Sequence, residues 1–248
     1  MSDQQAKVPG RDAPPPKPKR VYKTVSVSED GDVFGVLLDG KPVRTPLRKT
    51  LGARTRALAE ALAQEWDAQD PVIDREAMPL TRLVSTALDR VGPEREEVIA
   101  ALMSYVDAEL LCYRAEHPAD LKTRQQRTWD PVLEWLRAAH GADLACVEGI
   151  MPASQSPDSV AALQAALTKL DDERLTAFQA CAAATKSLAL AFALVDGPLT
   201  AEQVAAAAHL DEIYQAEQWG EDAEALARRK AINAEIKAIG EFLKLAIP

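Results

Sequence analysis

Aromatic side chains make up only 5% of the 248 residues, cysteine and histidine number three apiece, and no long apolar run occurs. Each scarcity removes a class of function. Cys112, Cys146 and Cys181 are odd in number and contain no Cys-x-x-Cys pair, so neither a disulfide framework nor a thiolate zinc site is indicated. They read as small buried apolar residues. His117, His140 and His209 lie far apart, and none stands at i+4 from another, so no metal is expected. Asp211 and Glu212 follow His209 closely, but on one helix Asp211 points away from it, and a solvated face is the better reading. The greasiest stretch, Ser187 to Val195, is far short of the roughly 18 apolar residues a membrane span needs. The first twenty residues lack the apolar core of a secretory signal and the Arg/Ser helix of an import signal, which leaves the cytoplasm as the expected compartment.

Catalytic motifs are equally sparse. Neither Gly-x-Ser-x-Gly nor Gly-x-Gly-x-x-Gly is present. Gly35-Val-Leu-Leu-Asp-Gly40-Lys41 matches the first seven positions of a phosphate-binding loop. The Ser or Thr that should follow for magnesium is Pro42, and Val36-Leu37-Leu38 would have to leave a strand to line a polar cradle. A hairpin is expected there instead, with no nucleotide and no cofactor. A net charge of −9 argues against nucleic acid, whose binding rests on Lys and Arg neutralising phosphates.

What is present is a globular chain, 47% hydrophobic, with its acid concentrated late. Residues 1–20 hold five of the sixteen prolines and read as a flexible tail. From Val21 to Leu51 short β-branched runs are cut by Asp30-Gly31 and Asp39-Gly40, the signature of tight hairpins. The period then changes to about 3.6, with one helix around Leu58, Leu62 and Trp66 and a second from Leu80 to Val91. Gly92-Pro93 marks a boundary. Beyond it the chain is alanine-rich and helical, with stops at Pro118, Gly141, Pro152, Pro157, Gly197-Pro198 and Gly220 and a last stripe at Ile232, Ile236, Ile239 and Leu243. Asp143 to Ile150 is open between strand and connector. The fold class expected is α+β: a small β-rich N-terminal domain with flanking helices over 21–92, followed by a mainly α-helical domain of five to seven helices over 93–248.

Between Ser187 and Ala227 there are eight carboxylates and no Lys or Arg. The tryptophans Trp66, Trp129, Trp135 and Trp219 each stand near a carboxylate, and Trp219 sits at a helix break amid that acid. Tryptophan is enriched at binding hot spots. A client-binding face is therefore expected on a helix from Ala201 to Trp219 and the start of the next, presenting Asp211, Glu212, Glu217, Glu221, Asp222 and Glu224 to a basic patch, with Arg114, Arg124 and Arg82 behind them. Structural roles stand beside these. Glu221, Asp222 and Glu224 suit the first turn of a helix, Arg114 and Arg124 suit inter-helix ion pairs, and Asp130 before Pro131 suits an N-cap. Rival readings are a small-molecule enzyme with Glu109 and Asp130 as acid and base in an interdomain cleft, and a general peptide-binding adaptor.

Several segments together resemble the assembly chaperone of the F-type ATP synthase that acts on its alpha subunit, a family of mitochondria and some bacteria. They are Phe34-Gly35-Val36 through Asp39-Gly40-Lys41-Pro42-Val43-Arg44-Thr45-Pro46, Glu65-Trp66-Asp67-Ala68-Gln69, Met78-Pro79-Leu80-Thr81-Arg82-Leu83 and Leu110-Leu111-Cys112-Tyr113-Arg114-Ala115. Arg124-Gln125, Trp129-Asp130-Pro131, Lys186-Ser187-Leu188, Leu210-Asp211-Glu212, Tyr214-Gln215 and Trp219-Gly220-Glu221-Asp222 continue the likeness. The resemblance implies a chaperone without catalytic residues, which binds newly made alpha subunit transiently, shields the surface that will meet beta, and leaves. It implies no nucleotide hydrolysis and no membrane insertion. The expected place is a bacterial cytoplasm, or the mitochondrial matrix for a eukaryotic source.

Overall fold

Two tight turns organise the N-terminal sheet. A computed structural model describes residues 17–149 and 154–246. Strands β1 (Val25–Asp30) and β2 (Val33–Leu38) pair antiparallel from Val25↔Leu38 to Asp30↔Val33, so the two-residue loop is Gly31-Asp32. That is one residue later than the Asp-Gly signal suggested. Gly31 takes φ +59°, as the first position of such a loop requires. β3 (Lys41–Pro42) folds back with Leu38 opposite Lys41 around Asp39-Gly40, and here both loop residues have positive φ, 48° and 77°. The Asp39 carboxylate holds the turn by accepting from the Thr24 amide at 2.9 Å. β4 (Gly52–Ala53) pairs with the other end of β2. Gly35 to Lys41 is thus strand and turn, with Val36 fully buried.

The tail expected over 1–20 lies outside the described residues as far as residue 16. Residues 17–20 are tied down: Lys17 pairs with Asp74 at 2.6 Å, and Arg20 pairs with Asp67 at 2.9 Å.

Helix α1 (Arg56–Asp67) starts on a Thr55 cap and buries Leu58, Ala59 and Leu62. α2 (Pro79–Thr86) opens on proline, where the missing N–H costs nothing, and widens into a π turn over Ala87–Val91. α3 (Arg95–Met103) follows, then two 3₁₀ turns, Val106–Ala108 and Leu110–Cys112, which lead into β5 (Tyr113–Arg114). α4 (Ala119–His140) runs between the expected stops and ends on Gly141 at φ 76°. Pro131 lies inside α4, so Asp130 is not its N-cap. β6 (Val147–Glu148) pairs parallel with β5, which makes part of the undecided 143–150 segment a strand; Ile150 lies outside the described residues.

α5 (Pro157–Lys169), α6 (Asp172–Thr185), α7 (Leu188–Val195), α8 (Ala201–Ala208), α9 (Leu210–Trp219) and α10 (Ala223–Ala246) complete the fold. From α3 onward the described residues form eight α-helices, more than the five to seven expected. The extra breaks lack Gly or Pro. Lys186 adopts a left-handed φ of 60° between α6 and α7, and His209 at φ −99°, ψ 10° divides what was read as one helix from Ala201 to Trp219.

The apolar core runs from Val36 in the sheet to Ala246 in α10, across the boundary expected at residue 92. At its centre α7, LALAFALV, has all eight residues buried. Ile236, Ile239 and Leu243 of α10 are buried as their stripe predicts. Cys112 and Cys181 are buried, but Cys146 is exposed, because it lies in the irregular segment between α4 and β6, outside the core cluster that takes in the other two.

Candidate functional site

α9 is held to α4 by a polar seam. Asp120, Arg124, Gln125 and Trp129 recur at one-turn spacing on α4 and reach across. The Tyr214 hydroxyl donates to Asp120 at 2.8 Å, and Arg124 pairs with Glu217 at 2.6 Å while its guanidinium covers the Tyr214 ring at 5.1 Å. Gln125 Nε2 donates to Asp211 at 2.9 Å, and Trp129 Nε1 donates to the Ala207 carbonyl at 2.9 Å. Burial raises the Asp211 pKa, against the hydrogen bond from Gln125 and the charge of Arg114. Arg114 is only 8% exposed; it donates to the Leu111 carbonyl at 2.8 Å, pairs with Asp130 at 2.6 Å and lies over Trp129. Arg114 and Asp211 share one shallow depression of about 600 Å³ with Gln125 and Gln215. Arg124 thus forms the inter-helix ion pair expected of it, whereas Arg114, on β5, pairs from a strand to α4 and not between helices.

On the far side, α10 answers the acid of α9. Arg228 pairs with Glu212 at 2.9 Å, and Arg229 pairs with Glu221. Asp222 caps α10 by accepting from the Ala225 amide at 2.8 Å, and Glu224 is exposed in the first turn. Three of the eight carboxylates between 187 and 227 are therefore opposed in space by Arg side chains outside that stretch, which a charge count along the chain does not register. Arg82 is exposed on α2, lining a different groove with Glu235 of α10.

The tryptophans separate sharply. Trp129 is fully buried, Trp66 and Trp135 pack half-buried against the core, and Trp219 is 78% exposed at the C-terminal end of α9. Seven residues after Glu212, Trp219 lies on the same helix face, with Gln215 and Ala216 between them. Gly220 at φ 92° turns the chain immediately beyond it. An open groove of about 590 Å³ between α8–α9 and α10 adjoins this face; Ile213, His209 and Arg229 line it. Burial lowers the His209 pKa, and its Nε2 has no hydrogen-bond partner.

The rival acid–base pair is committed elsewhere. Asp130 is the ion-pair partner of Arg114. Glu109 is 1% exposed, and its carboxylate accepts from the amides of Leu188 at 2.6 Å and Ala189 at 3.2 Å and from the Ser187 hydroxyl. It therefore caps the buried start of α7. It also lines a cleft of about 400 Å³ with Tyr105 and Lys186 at its wall. No local signal marks Glu109 for this role, since its partners are nearly eighty residues away. Among the described residues no group of three His, Cys, Asp or Glu could hold a metal ion, and no helix is long and apolar enough to cross a membrane.

This arrangement is that of an α+β protein with an exposed indole at a helix end, carboxylates near it in the chain, and a polar seam, buried at Gln125 and Trp129 and exposed at Arg124, between α4 and the α8–α9 pair. Comparison with known proteins gives the same class. Residues 19–137 match the model of the ATP12 chaperone protein family. The crystal structure of Atp12 from Paracoccus denitrificans superposes with a TM-score of 0.86 at 36% identity, covering 93% of this chain and 99% of that one. The crystal structure of the Atu1473 protein from Agrobacterium tumefaciens gives the same TM-score at 43% identity, over 92% of this chain and 86% of its own. The mitochondrial atp12 protein of Schizosaccharomyces pombe is 28% identical over 220 residues, 84% of this chain and 75% of that protein. The chain belongs to the ATP12 chaperone family.

Proposed function

We propose that this protein is an assembly chaperone of the F-type ATP synthase, binding newly made alpha subunit and covering its subunit interface until the catalytic hexamer forms. Family membership supports the chaperone role, and the resemblance of the quoted segments supports the client. The greater likeness to the two bacterial structures, 36% and 43% identical against 28% for the yeast relative, supports a bacterial cytoplasm over a mitochondrial matrix. The protein acts by binding and not by catalysis.

The observation that carries the binding face is Trp219, 78% exposed on a rim of carboxylates. An indole left in water gains by burial against a partner. The surrounding Glu212, Glu221, Asp222 and Glu224 would fix register against a basic client surface and speed encounter more than they tighten it. Asp211 and Arg124 contribute from behind, by holding α9 on α4, and Arg114 by tying β5 to α4 through Asp130.

The test is binding of purified alpha subunit, measured at low and moderate salt. Trp219→Ala should weaken binding by about 30-fold, the roughly 2 kcal/mol of a hot-spot residue. Asp222→Asn with Glu224→Gln should reduce the salt dependence while changing affinity less, since neither residue holds an ion pair within the fold. Unchanged affinity in Trp219→Ala, with the fold intact, would remove this face from the proposal.

A further inference from the structure

Away from α9 and α10, two thiols meet beside a buried arginine. β5 and β6 run parallel with Tyr113 opposite Val147 and Arg114 opposite Glu148. Cys112, the last residue of the 3₁₀ turn Leu110–Cys112, and Cys146 are the residues immediately before these two strands. Neighbouring strands lie about 4.8 Å apart, inside the Cα separation of about 4.4 to 6.8 Å that a disulfide spans. The side chains of Cys112 and Cys146 lie close enough to interact directly.

The two sulfurs differ in setting. Cys112 is fully buried, whereas Cys146 is exposed. Arg114 Nη2 stands 3.8 Å from Cys146 Sγ, and the Leu111 carbonyl stands 3.9 Å from it. The hydrogen bond from Cys112, and after it the Arg114 guanidinium, hold the Cys146 thiol below the ordinary thiol range, against partial burial and the Asp130 carboxylate. The same contact, burial and the Glu109 carboxylate push Cys112 upward. A reachable thiolate beside a protonated thiol divides into attacking and resolving sulfurs.

We propose that Cys112 and Cys146 form an oxidation site, a dithiol that a hydroperoxide converts into a disulfide joining the segment before α4 to the segment after it. The Cys146 thiolate attacks one peroxide oxygen, the O–O bond breaks, hydroxide leaves, and Cys146 becomes a sulfenic acid. Cys112 then gives up its proton, its sulfur bonds to Cys146 Sγ, and the S–O bond breaks with release of water. The two sulfurs together lose two electrons, which the peroxide accepts. The resulting bond closes a ring around α4, the helix that carries the seam to α9. This inference stands independently of the client and its binding face.

The test uses the full reduced chain, transferred to reductant-free buffer, treated with stoichiometric hydrogen peroxide, then denatured, alkylated and analysed by mass spectrometry. The expected result is loss of two hydrogen masses, a single alkylated thiol at Cys181 and a cross-linked peptide joining Cys112 to Cys146. Cys112→Ser should leave a sulfenic acid on Cys146 that dimedone captures. Three alkylated thiols in the treated wild type would overturn the proposal. So would Cys146 found overoxidised, or bonded to a second molecule, with Cys112 still free.

Discussion

Replacing Glu109 by alanine should destabilise the protein by at least about 3 kcal/mol. All of α7 is buried, so the N–H groups of its first turn cannot be satisfied by bulk water and need an acceptor from the protein. Ser187 supplies one, to Leu190 at 2.9 Å; Glu109 supplies the others, to Leu188 and Ala189, and also accepts from Leu111 at 3.2 Å. Alanine leaves three buried amides without an acceptor, at about 1 to 3 kcal/mol each. The lower end of that range gives about 3 kcal/mol in total, because the cleft beside Glu109 can admit water. For a chain of this size that lowers the unfolding midpoint by about 6 to 12 °C.

Glu109→Gln should cost less, since its single oxygen can keep the two helix amides and the Ser187 hydroxyl can turn to accept from the NH₂, leaving only the Leu111 amide without its acceptor. Glutamine also removes a titration. Burial raises the Glu109 pKa, so the folded state retains a proton at pH values where the unfolded chain has lost it. The wild type therefore loses stability as pH rises from about 4.3, the unfolded glutamate value, through the folded value, and Glu109→Gln should lack that component. Circular dichroism melts of the three proteins across that range provide the measurement. A midpoint for Glu109→Ala within 2 °C of wild type would refute the capping argument.

Three further outcomes are expected. Trp129→Phe keeps the buried ring but leaves the Ala207 carbonyl without the indole donor, so it should cost about 1 to 3 kcal/mol in denaturant titration and loosen α8 from α4 in hydrogen exchange. Thr200→Ala removes one half of the α8 capping box, whose Gln203 side chain returns the bond; about 1 kcal/mol should be lost. His140 packs against Trp135 and Phe192, and burial lowers its pKa despite Asp196 at 3.5 Å. The unfolded chain then binds the extra proton more readily, so stability should fall as pH drops through about 6.5. A His140→Gln variant, followed by thermal melts from pH 7.5 to 5.5, should show a smaller fall than wild type.

What could be read from the sequence follows the range over which each cause acts. Asp39-Gly40, Pro118, Gly141, Pro157 and Gly220 mark turns and helix ends because backbone conformation is chosen by the residue itself and its immediate neighbours. Those positions are where the corresponding elements end or begin. The break at His209 has no such residue. Its conformation is set by packing, where α8 places Trp129 against Ala207 and α9 places Tyr214 against Asp120, two anchors that one straight helix need not satisfy together.

The charge of the late acidic stretch shows the same limit more sharply. Eight carboxylates with no cation among them look like a surface waiting for a basic partner. Three of the carboxylates are already matched, Glu212 by Arg228, Glu217 by Arg124 and Glu221 by Arg229, and two of those cations lie on the next helix, just beyond the stretch. Exposed pairs of this kind contribute about 0 to 1 kcal/mol each to stability. Two of them link α9 to α4 and to α10, and Trp219 at the end of α9 remains 78% exposed. A sequence count treats all eight charges alike; in the fold three are matched by cations from other segments, Asp222 caps α10, and Glu224 is left exposed near the exposed Trp219.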